Sequence, residues 1–136
     1  MATRWPSSVP PPMLEANYAL PMIGAALVSI NIRLSSGEIA YIINHSGSKA
    51  IFVDNEFADL VVSTLPELNK VQTVVNICDI SADTPLDGPD YEAFLSQGDP
   101  DPVEMDVDDE RQVATINYTS GTTGLPKRVM YHHRGA

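Results

Sequence analysis

The chain has 136 residues, 43% of them hydrophobic, which is enough for one domain with a core of its own. Its formal net charge of −10 disfavours nucleic acids and anionic membranes as partners, because both are themselves negatively charged. The most apolar window, residues 18–30, is too short for a membrane-spanning helix and contains a proline and a glycine. The single cysteine, Cys78, excludes an internal disulfide and is typical of a reducing compartment. We therefore expect an intracellular, cytoplasmic protein in which Cys78 is a buried structural thiol.

The N-terminal part of the chain is predicted to pass from an arm to a helix and then to a strand. Residues 1–12 contain four prolines and show no hydrophobic periodicity, which predicts a disordered or extended arm. Residues 13–20 mix apolar and polar side chains in a way that favours a helix, which Pro21 should interrupt or kink. Residues 28–32 then alternate with a period of two, which predicts a strand.

A second helix carries the clearest start and stop signals. Ser35, followed three residues later by Glu38, is a capping box, and Gly47 suits the C-terminal end. Three isoleucines between them fall on one helical face: Ile39, Ile42 and Ile43. His45 lies in the last turn, where a positive charge complements the helix dipole. We expect a structural or surface role for His45 rather than a catalytic one, because no acid–base partner is adjacent in the sequence.

A strand–helix–strand unit follows. Residues 50–53 form a short apolar strand, Asp54 or Asn55 can cap the next helix, and residues 71–78 return as a second apolar strand. The helix should end early at Pro66. Its apolar face is formed by Phe57, Leu60, Val61, Thr64, Leu65 and Leu68. A unit of this kind predicts two parallel strands joined by a right-handed crossover, and hence an α/β layered fold.

The stretch after the second of these strands is predicted to be mainly a helix and a linker. Residues 91–97 favour a short helix with three side chains facing inward: Tyr91, Phe94 and Leu95. Residues 99–110 hold seven acids. Metal binding by these acids is disfavoured because the spacing and the glycine of a calcium-binding loop are absent. A solvated linker is the favoured interpretation.

The C-terminal part contains a strand, a loop of small polar residues, a lysine and a second strand. Residues 113–118 and residues 129–131 favour the two strands. The loop, here called the Ser/Thr/Gly loop, consists of Thr119, Ser120, Gly121, Thr122, Thr123 and Gly124. Its four hydroxyls can donate hydrogen bonds, and its two glycines allow backbone N–H groups to approach an anion closely. Lys127 adds a compact positive charge, and Pro126 stiffens the chain before it.

The charge around this loop also favours an anion. Residues 111–136 contain four Lys or Arg and no acid, whereas the rest of the chain contains all 18 acids. The pattern differs from the Walker P-loop, in which lysine directly follows the second glycine and precedes Ser or Thr, so a P-loop kinase is disfavoured. A flexible hairpin loop without a ligand is the alternative that composition alone would favour.

The string YTSGTTGLPK, residues 118–127, resembles the phosphate-binding signature of the adenylate-forming (AMP-binding) superfamily, which includes the acyl-CoA synthetases. Residues 11–54 and the closing YHHRGA are also similar to acyl-CoA synthetases of the fatty-acid–CoA ligase type. The resemblance implies an α/β fold with βαβ units, part of the large N-terminal domain of such an enzyme. Residues 13–136 would be a partial AMP-binding domain, and residues 1–12 an unrelated arm. The residues that it assigns to the ATP phosphates are Thr119, Ser120, Gly121, Thr122, Thr123, Gly124 and Lys127.

The implied reaction uses ATP, Mg²⁺ and coenzyme A. A carboxylic acid, most simply a fatty acid, forms an acyl-adenylate with release of pyrophosphate, and the acyl group then passes to coenzyme A. The family's Mg²⁺-binding acid, its catalytic lysine and most of its acyl pocket have no counterpart here, so no catalytic residue and no metal ligand is assigned. We therefore expect a fragment that is inactive alone. The alternative is a non-catalytic remnant or a weak polyphosphate-binding module.

Two details near the end of the chain bear on this assignment. The family usually has glycine where this chain has Arg128, and we expect the larger side chain to impair loop closure rather than to add a phosphate contact. His132 and His133 are not predicted to be a metal-binding pair, because adjacent residues on a strand face opposite sides. They are expected to lead into a helix.

Overall fold

Two small sheets and four α-helices make up the part of the chain that the computed structural model describes, which is residues 11–78, 86–105, 107–119 and 124–135. In chain order the elements are α1 (Pro11–Met22), β1 (Leu27–Ser29), α2 (Ser36–Ser46), β2 (Ala50–Asp54), α3 (Ala58–Thr64), β3 (Thr73–Ile77), α4 (Tyr91–Leu95), β4 (Val113–Thr119) and β5 (Lys127–His132). Short 3₁₀ turns lie at Asn55–Phe57, Leu65–Glu67 and His133–Gly135. The predicted α/β class is confirmed, and no helix among these residues has the length and apolar character that a membrane crossing requires.

The start and end of α2 confirm the sequence prediction. The Ser35 hydroxyl accepts a hydrogen bond from the Glu38 amide (3.4 Å), and the Glu38 carboxylate accepts one from the Ser35 amide (2.9 Å). Gly47 ends the helix with a φ of 76°, a left-handed conformation that glycine adopts without strain. The predicted apolar face is buried, and it comprises Ile39, Ile42 and Ile43 together with Ala40.

The predicted βαβ unit is also present. β2 and β3 are parallel, with Ile51 opposite Val74 and Val53 opposite Asn76. Asp54 caps the 3₁₀ turn that precedes α3, since its carboxylate accepts a hydrogen bond from the Glu56 amide. The core of this half is formed by Val53, Ala58, Val61 and Leu86.

A second sheet contains the candidate loop. Its strand order is β1–β4–β5, with β1 parallel to β4 and β4 antiparallel to β5. β1 therefore pairs with a strand that lies more than 80 residues later, whereas the strands that follow β1 directly form the other sheet. Helix α2 contacts α3 of the βαβ unit and, through His45, Tyr118 of β4 in this sheet.

Three local predictions need correction. The predicted strand at residues 28–32 ends at Ser29, because the Asn31 side chain accepts a hydrogen bond from the Arg33 amide and starts a turn. Leu95 was predicted to face inward but is 46% exposed, because α4 has only five residues and buries Tyr91 alone. Phe94 is 38% exposed, although its ring packs edge-on against Phe52.

Three further expectations need revision. Helix α1 begins at Pro11, so the last two residues assigned to the arm open this helix, where proline is well tolerated. The helix also continues through Pro21 to Met22, since Pro21 lies in its last turn. The rest of the arm, residues 1–10, lies outside the described residues. Cys78 is partly rather than fully buried, and it accepts a hydrogen bond from the Asn55 side chain (3.1 Å).

Candidate functional site

The Ser/Thr/Gly loop connects the two strands of the β4–β5 hairpin. Thr119 ends β4 and lies opposite Lys127, which begins β5, so the two residues form the last pair of the ladder before the loop. The predicted hairpin is therefore confirmed, although Lys127 belongs to the second strand and does not precede it. Of the seven residues assigned to ATP phosphates, the structure describes Thr119, Gly124 and Lys127. The other four, Ser120, Gly121, Thr122 and Thr123, lie outside the described residues.

Gly124 has a backbone conformation that favours glycine. Its φ is 132°, in a region that residues with side chains rarely adopt. Among the described residues no heavy atom lies within 4 Å of the position that a β-carbon would take, so the observed reason for glycine is its backbone conformation.

Lys127 presents an available positive charge. The residue is exposed, and among residues 11–78, 86–105, 107–119 and 124–135 its side chain has no hydrogen-bond or ion-pair partner. Because opposed residues of an antiparallel pair project to the same face, Lys127 shares a face with Thr119. The ammonium and the first loop hydroxyl are thus on one side of the hairpin.

Arg128 projects to the opposite face, together with Tyr118, which lies directly across the ladder. Arg128 lies within a regular strand, and in the described part of the chain every residue with positive φ is a glycine. The backbone at this position therefore does not require glycine, which removes the conformational reason for expecting Arg128 to impair the loop. Its effect on nucleotide binding stays a prediction.

Tyr118 connects the base of the hairpin to helix α2. Its hydroxyl lies 2.8 Å from Nδ1 of His45, and the two rings meet edge to face with centroids 5.9 Å apart. The other face of the His45 ring stacks on Tyr41, at 5.3 Å. Burial raises the pKa of Tyr118, and the positive charge of Arg128 opposes this rise.

Sequence reasoning missed this contact. His45 was expected to have a structural or surface role because no acid–base partner is adjacent in the sequence, but its contact with Tyr118, 73 residues away, was not predicted. The one available signal was weak: a tyrosine directly before the loop has a hydroxyl that needs a partner when it is partly buried. Nothing in the spacing of the two residues points to their pairing.

One further cation of this region is already paired within the chain. Arg134, just after β5, forms an exposed ion pair with Glu110 (2.9 Å) and donates its backbone amide to the Glu110 carbonyl. Such an exposed ion pair contributes at most about 1 kcal/mol to the stability of the fold. It also engages one of the four Lys or Arg side chains of residues 111–136, which is then less available to bind an anion. Lys127 and Arg128 are the cations of the hairpin itself.

A cavity of about 210 Å³ lies against both ends of the loop. Its walls come from the β1–α2 connection, from α2 and from the hairpin, and its lining residues include Glu38, Tyr118, Thr119 and Gly124. Hydrogen bonds from Ser35 lower the pKa of Glu38, whose carboxylate is already engaged in the capping box. A larger cavity of about 580 Å³ lies between α1, β1 and β2, and Ile116 is its one described lining residue from the hairpin.

The described residues do not fit a carboxylate site for Mg²⁺. No group of three or more His, Cys, Asp or Glu side chains in the described part of the chain is placed to hold a metal ion. The chain has no acid after Glu110, and Glu38, at the nearby cavity, serves the helix cap. The described residues alone would therefore leave any Mg²⁺ at the loop coordinated mainly by the phosphates of the nucleotide that carries it.

Comparison with known proteins decides the family. The family model described as AMP-binding enzyme matches residues 10–136. The chain belongs to the AMP-binding enzyme family. This finding confirms the resemblance that the YTSGTTGLPK string indicated, and the family match covers the loop, Lys127 and the capping box alike.

Relatives of this AMP-binding protein include CoA ligases from distant organisms. It is 37% identical to 4-hydroxybutyrate–CoA ligase 2 of Metallosphaera sedula, over 93% of this chain and 24% of that protein. It is 41% identical to the long-chain-fatty-acid–CoA ligase of Thermus thermophilus, over 89% of this chain and 21% of that protein. The chain thus spans about a quarter of the length of the curated relatives that it matches.

Solved structures confirm the fold of this AMP-binding protein. The anthranilate CoA ligase AuaEII, crystallised with anthranoyl-AMP, superposes with a TM-score of 0.74 at 26% identity, over 87% of this chain and 22% of that one. The adenylation domain of a carboxylate reductase from Mycobacterium chelonae gives a TM-score of 0.72 at 17% identity, over 85% of this chain and 21% of that one. The second match shows the fold alone.

Proposed function

We propose that this chain is the ATP-phosphate-binding part of an acyl-CoA ligase that activates a carboxylic acid, most simply a fatty acid, as an acyl-adenylate. The observation that carries the proposal is the last ladder pair of the hairpin: Lys127, exposed and without a partner among the described residues, beside Thr119 at the mouth of the loop. The names of the relatives support this choice, because they describe ligases that join carboxylic acids to coenzyme A.

The chain's own residues would bind and orient the triphosphate. The Lys127 ammonium is a compact positive charge, and the hydroxyls and amides of the Ser/Thr/Gly loop are hydrogen-bond donors of the kind that phosphates accept. Holding the β- and γ-phosphates exposes the α-phosphorus to the substrate carboxylate and stabilises pyrophosphate as it leaves. Mg²⁺, when bound, would neutralise part of the phosphate charge. Transfer of the acyl group from the adenylate to the coenzyme A thiol would follow, with AMP as the leaving group.

A second candidate function is polyphosphate binding without turnover. The described residues provide the Lys127 cation beside Thr119, but they provide no carboxylate cluster for Mg²⁺ and no group that this structure assigns to acyl transfer. In that case the chain would bind ATP, tripolyphosphate and pyrophosphate weakly and with little preference for the nucleoside. The two candidates share the binding step and differ in whether pyrophosphate is released.

The binding step is tested by titration calorimetry with ATP on the 136-residue chain, comparing wild type with Lys127→Ala. The matched control is Lys70→Ala, which removes the same charge from an exposed position between α3 and β3. Loss of one charge-assisted contact should weaken ATP binding roughly tenfold or more in Lys127→Ala, and the control should stay within about twofold of wild type. Equal affinities in all three proteins would refute the assignment of Lys127.

Turnover is tested by pyrophosphate release with ATP and a mixture of fatty acids. Release by the chain alone that depends on the added acid would overturn the expectation that it is an inactive fragment. If the chain binds ATP without release, the same assay is run with the chain in place of the matching segment of a complete CoA ligase, where acid-dependent release supports the ligase and its absence supports the polyphosphate-binding module. An intracellular, cytoplasmic location stays a prediction, and relatives such as the trans-cinnamate:CoA ligase of Petunia hybrida are named as peroxisomal.

A further inference from the structure

We infer that His45 is a positioning residue for Lys127, because its hydrogen bond to Tyr118 holds the end of the β4–β5 hairpin at which Lys127 lies. The inference rests on the proposed function in one respect only, namely that Lys127 binds phosphate. The hydrogen bond and its effect on the hairpin can be measured without any nucleotide.

The His45 ring is held on two sides. Nδ1 lies 2.8 Å from the Tyr118 hydroxyl, and the ring face stacks on Tyr41, one turn earlier in α2, with an interplanar angle of 17°. A neutral imidazole can accept from the phenol through Nδ1, and an imidazolium can donate to it. The contact is therefore available in both protonation states of His45.

The position of Tyr118 in the ladder explains why this contact affects the end of the hairpin. Tyr118 lies opposite Arg128, and the next pair along the ladder, Thr119 and Lys127, is the last before the loop. Every residue of β5 is exposed, so the second strand of the hairpin has little packing of its own. The hairpin end is therefore held mainly through β4, and Tyr118 is the β4 residue that reaches α2 there.

Asn44, the neighbour of His45, shows that this turn of α2 joins two parts of the fold. Its side chain donates to the Glu67 carbonyl (2.8 Å) and accepts from the Asn69 amide (3.0 Å), which ties α2 to the segment leading into β3. Asn44 thus stabilises the other half of the molecule through side-chain hydrogen bonds from the same helical turn. Removing it should lower stability without touching the hairpin, which makes Asn44→Ala a matched control.

The first measurement is hydrogen exchange of the backbone amides at residues 117–119 and 127–129, in wild type, Tyr118→Phe, His45→Ala and Asn44→Ala. Tyr118→Phe keeps the aromatic ring and removes only the hydroxyl. Loss of the hydrogen bond between the exposed His45 and the half-buried Tyr118 should speed exchange at these amides roughly three- to tenfold in Tyr118→Phe and His45→Ala. In Asn44→Ala the amides of residues 67–71 should exchange faster instead. Unchanged exchange at the hairpin in Tyr118→Phe would overturn the inference.

The second measurement is ATP affinity in the same proteins. Tyr118→Phe and His45→Ala should each weaken ATP binding roughly threefold or more, and the double variant should be no worse than either single one, because both remove the same contact. Asn44→Ala should bind as wild type does. If hairpin exchange responds while no protein binds ATP, the proposed function fails and the positioning contact stands. If ATP binds equally well to all variants, His45 has no positioning role.

Discussion

Replacing Gly88 by alanine should destabilise the protein strongly, and the structure gives the size of the effect. A β-carbon on Gly88 would lie 2.0 Å from the backbone oxygen of Val74 and 3.0 Å from its carbonyl carbon. Real β-carbons essentially never come within 3.0 Å of another heavy atom, so the chain at Gly88 or strand β3 must shift by about 1 Å. Val74 belongs to β3, which is paired along its length with β2, so the shift cannot be absorbed by a flexible side chain.

The same shift would break hydrogen bonds of a fully buried side chain. Asn76 donates from its side-chain amide to the carbonyls of Gly88 (3.1 Å) and Leu86 (3.3 Å), and its backbone amide donates to Pro89 (2.9 Å). Overpacking costs about 1–3 kcal/mol, and leaving a buried donor without a partner costs about 1–3 kcal/mol more. We therefore expect Gly88→Ala to lower the free energy of unfolding by about 4 kcal/mol, which lowers the melting temperature by roughly 12 °C or more.

The assay is thermal unfolding followed by circular dichroism, with Gly37→Ala as the matched control. Gly37 lies in the first turn of α2, and a β-carbon there would meet no heavy atom of the described residues within 4 Å. The control should therefore be neutral or more stable by up to about 1 kcal/mol, since alanine favours a helix. A melting temperature of Gly88→Ala within about 2 °C of wild type would refute the steric argument.

Two further predictions concern the cap of α2 and alkaline pH. Ser35→Ala removes the hydroxyl that caps α2 and should cost about 1 kcal/mol in a thermal melt, and an unchanged melting temperature would contradict this helix start. Burial, together with the hydrogen bond to Glu15 (2.5 Å), raises the pKa of Tyr91 from 10.0 to about 12. The folded state therefore favours the neutral phenol of Tyr91. The stability that this phenol contributes is fully present below the unfolded-state pKa of 10.0 and is lost as the pH rises toward the folded-state pKa of about 12. Urea unfolding between about pH 9 and pH 11 should show a smaller loss of stability in Tyr91→Phe than in wild type, and equal losses would show that another group is responsible.

Features with local causes could be predicted from the sequence. The capping box of Ser35 and Glu38 and the left-handed Gly47 depend on residues a few positions apart, so their spacing identifies them. The βαβ unit and the β4–β5 hairpin follow from apolar runs and the turn residues between them. The strand predicted at residues 28–32 failed because its period-two pattern was followed past Asn31, whose side chain starts a turn.

The candidate site, too, could be predicted from the sequence only in part. The ten-residue string from Tyr118 to Lys127 pointed to the family without any structure, and the family match includes it. The string gave the residue types of the loop but not their surroundings. The register of the ladder shows that Lys127 begins a strand opposite Thr119 and that Arg128 projects to the other face.

The sequence by itself determined the local elements and the family, because both depend on residues that are close in the chain. Only the tertiary structure decided that β1 pairs with β4 and not with its neighbours, that Gly88 lies against Val74, and that His45 reaches Tyr118. Each of these contacts joins two segments that come together only when the chain between them has folded. Their partners are chosen by the packing of the whole domain, which no local pattern encodes.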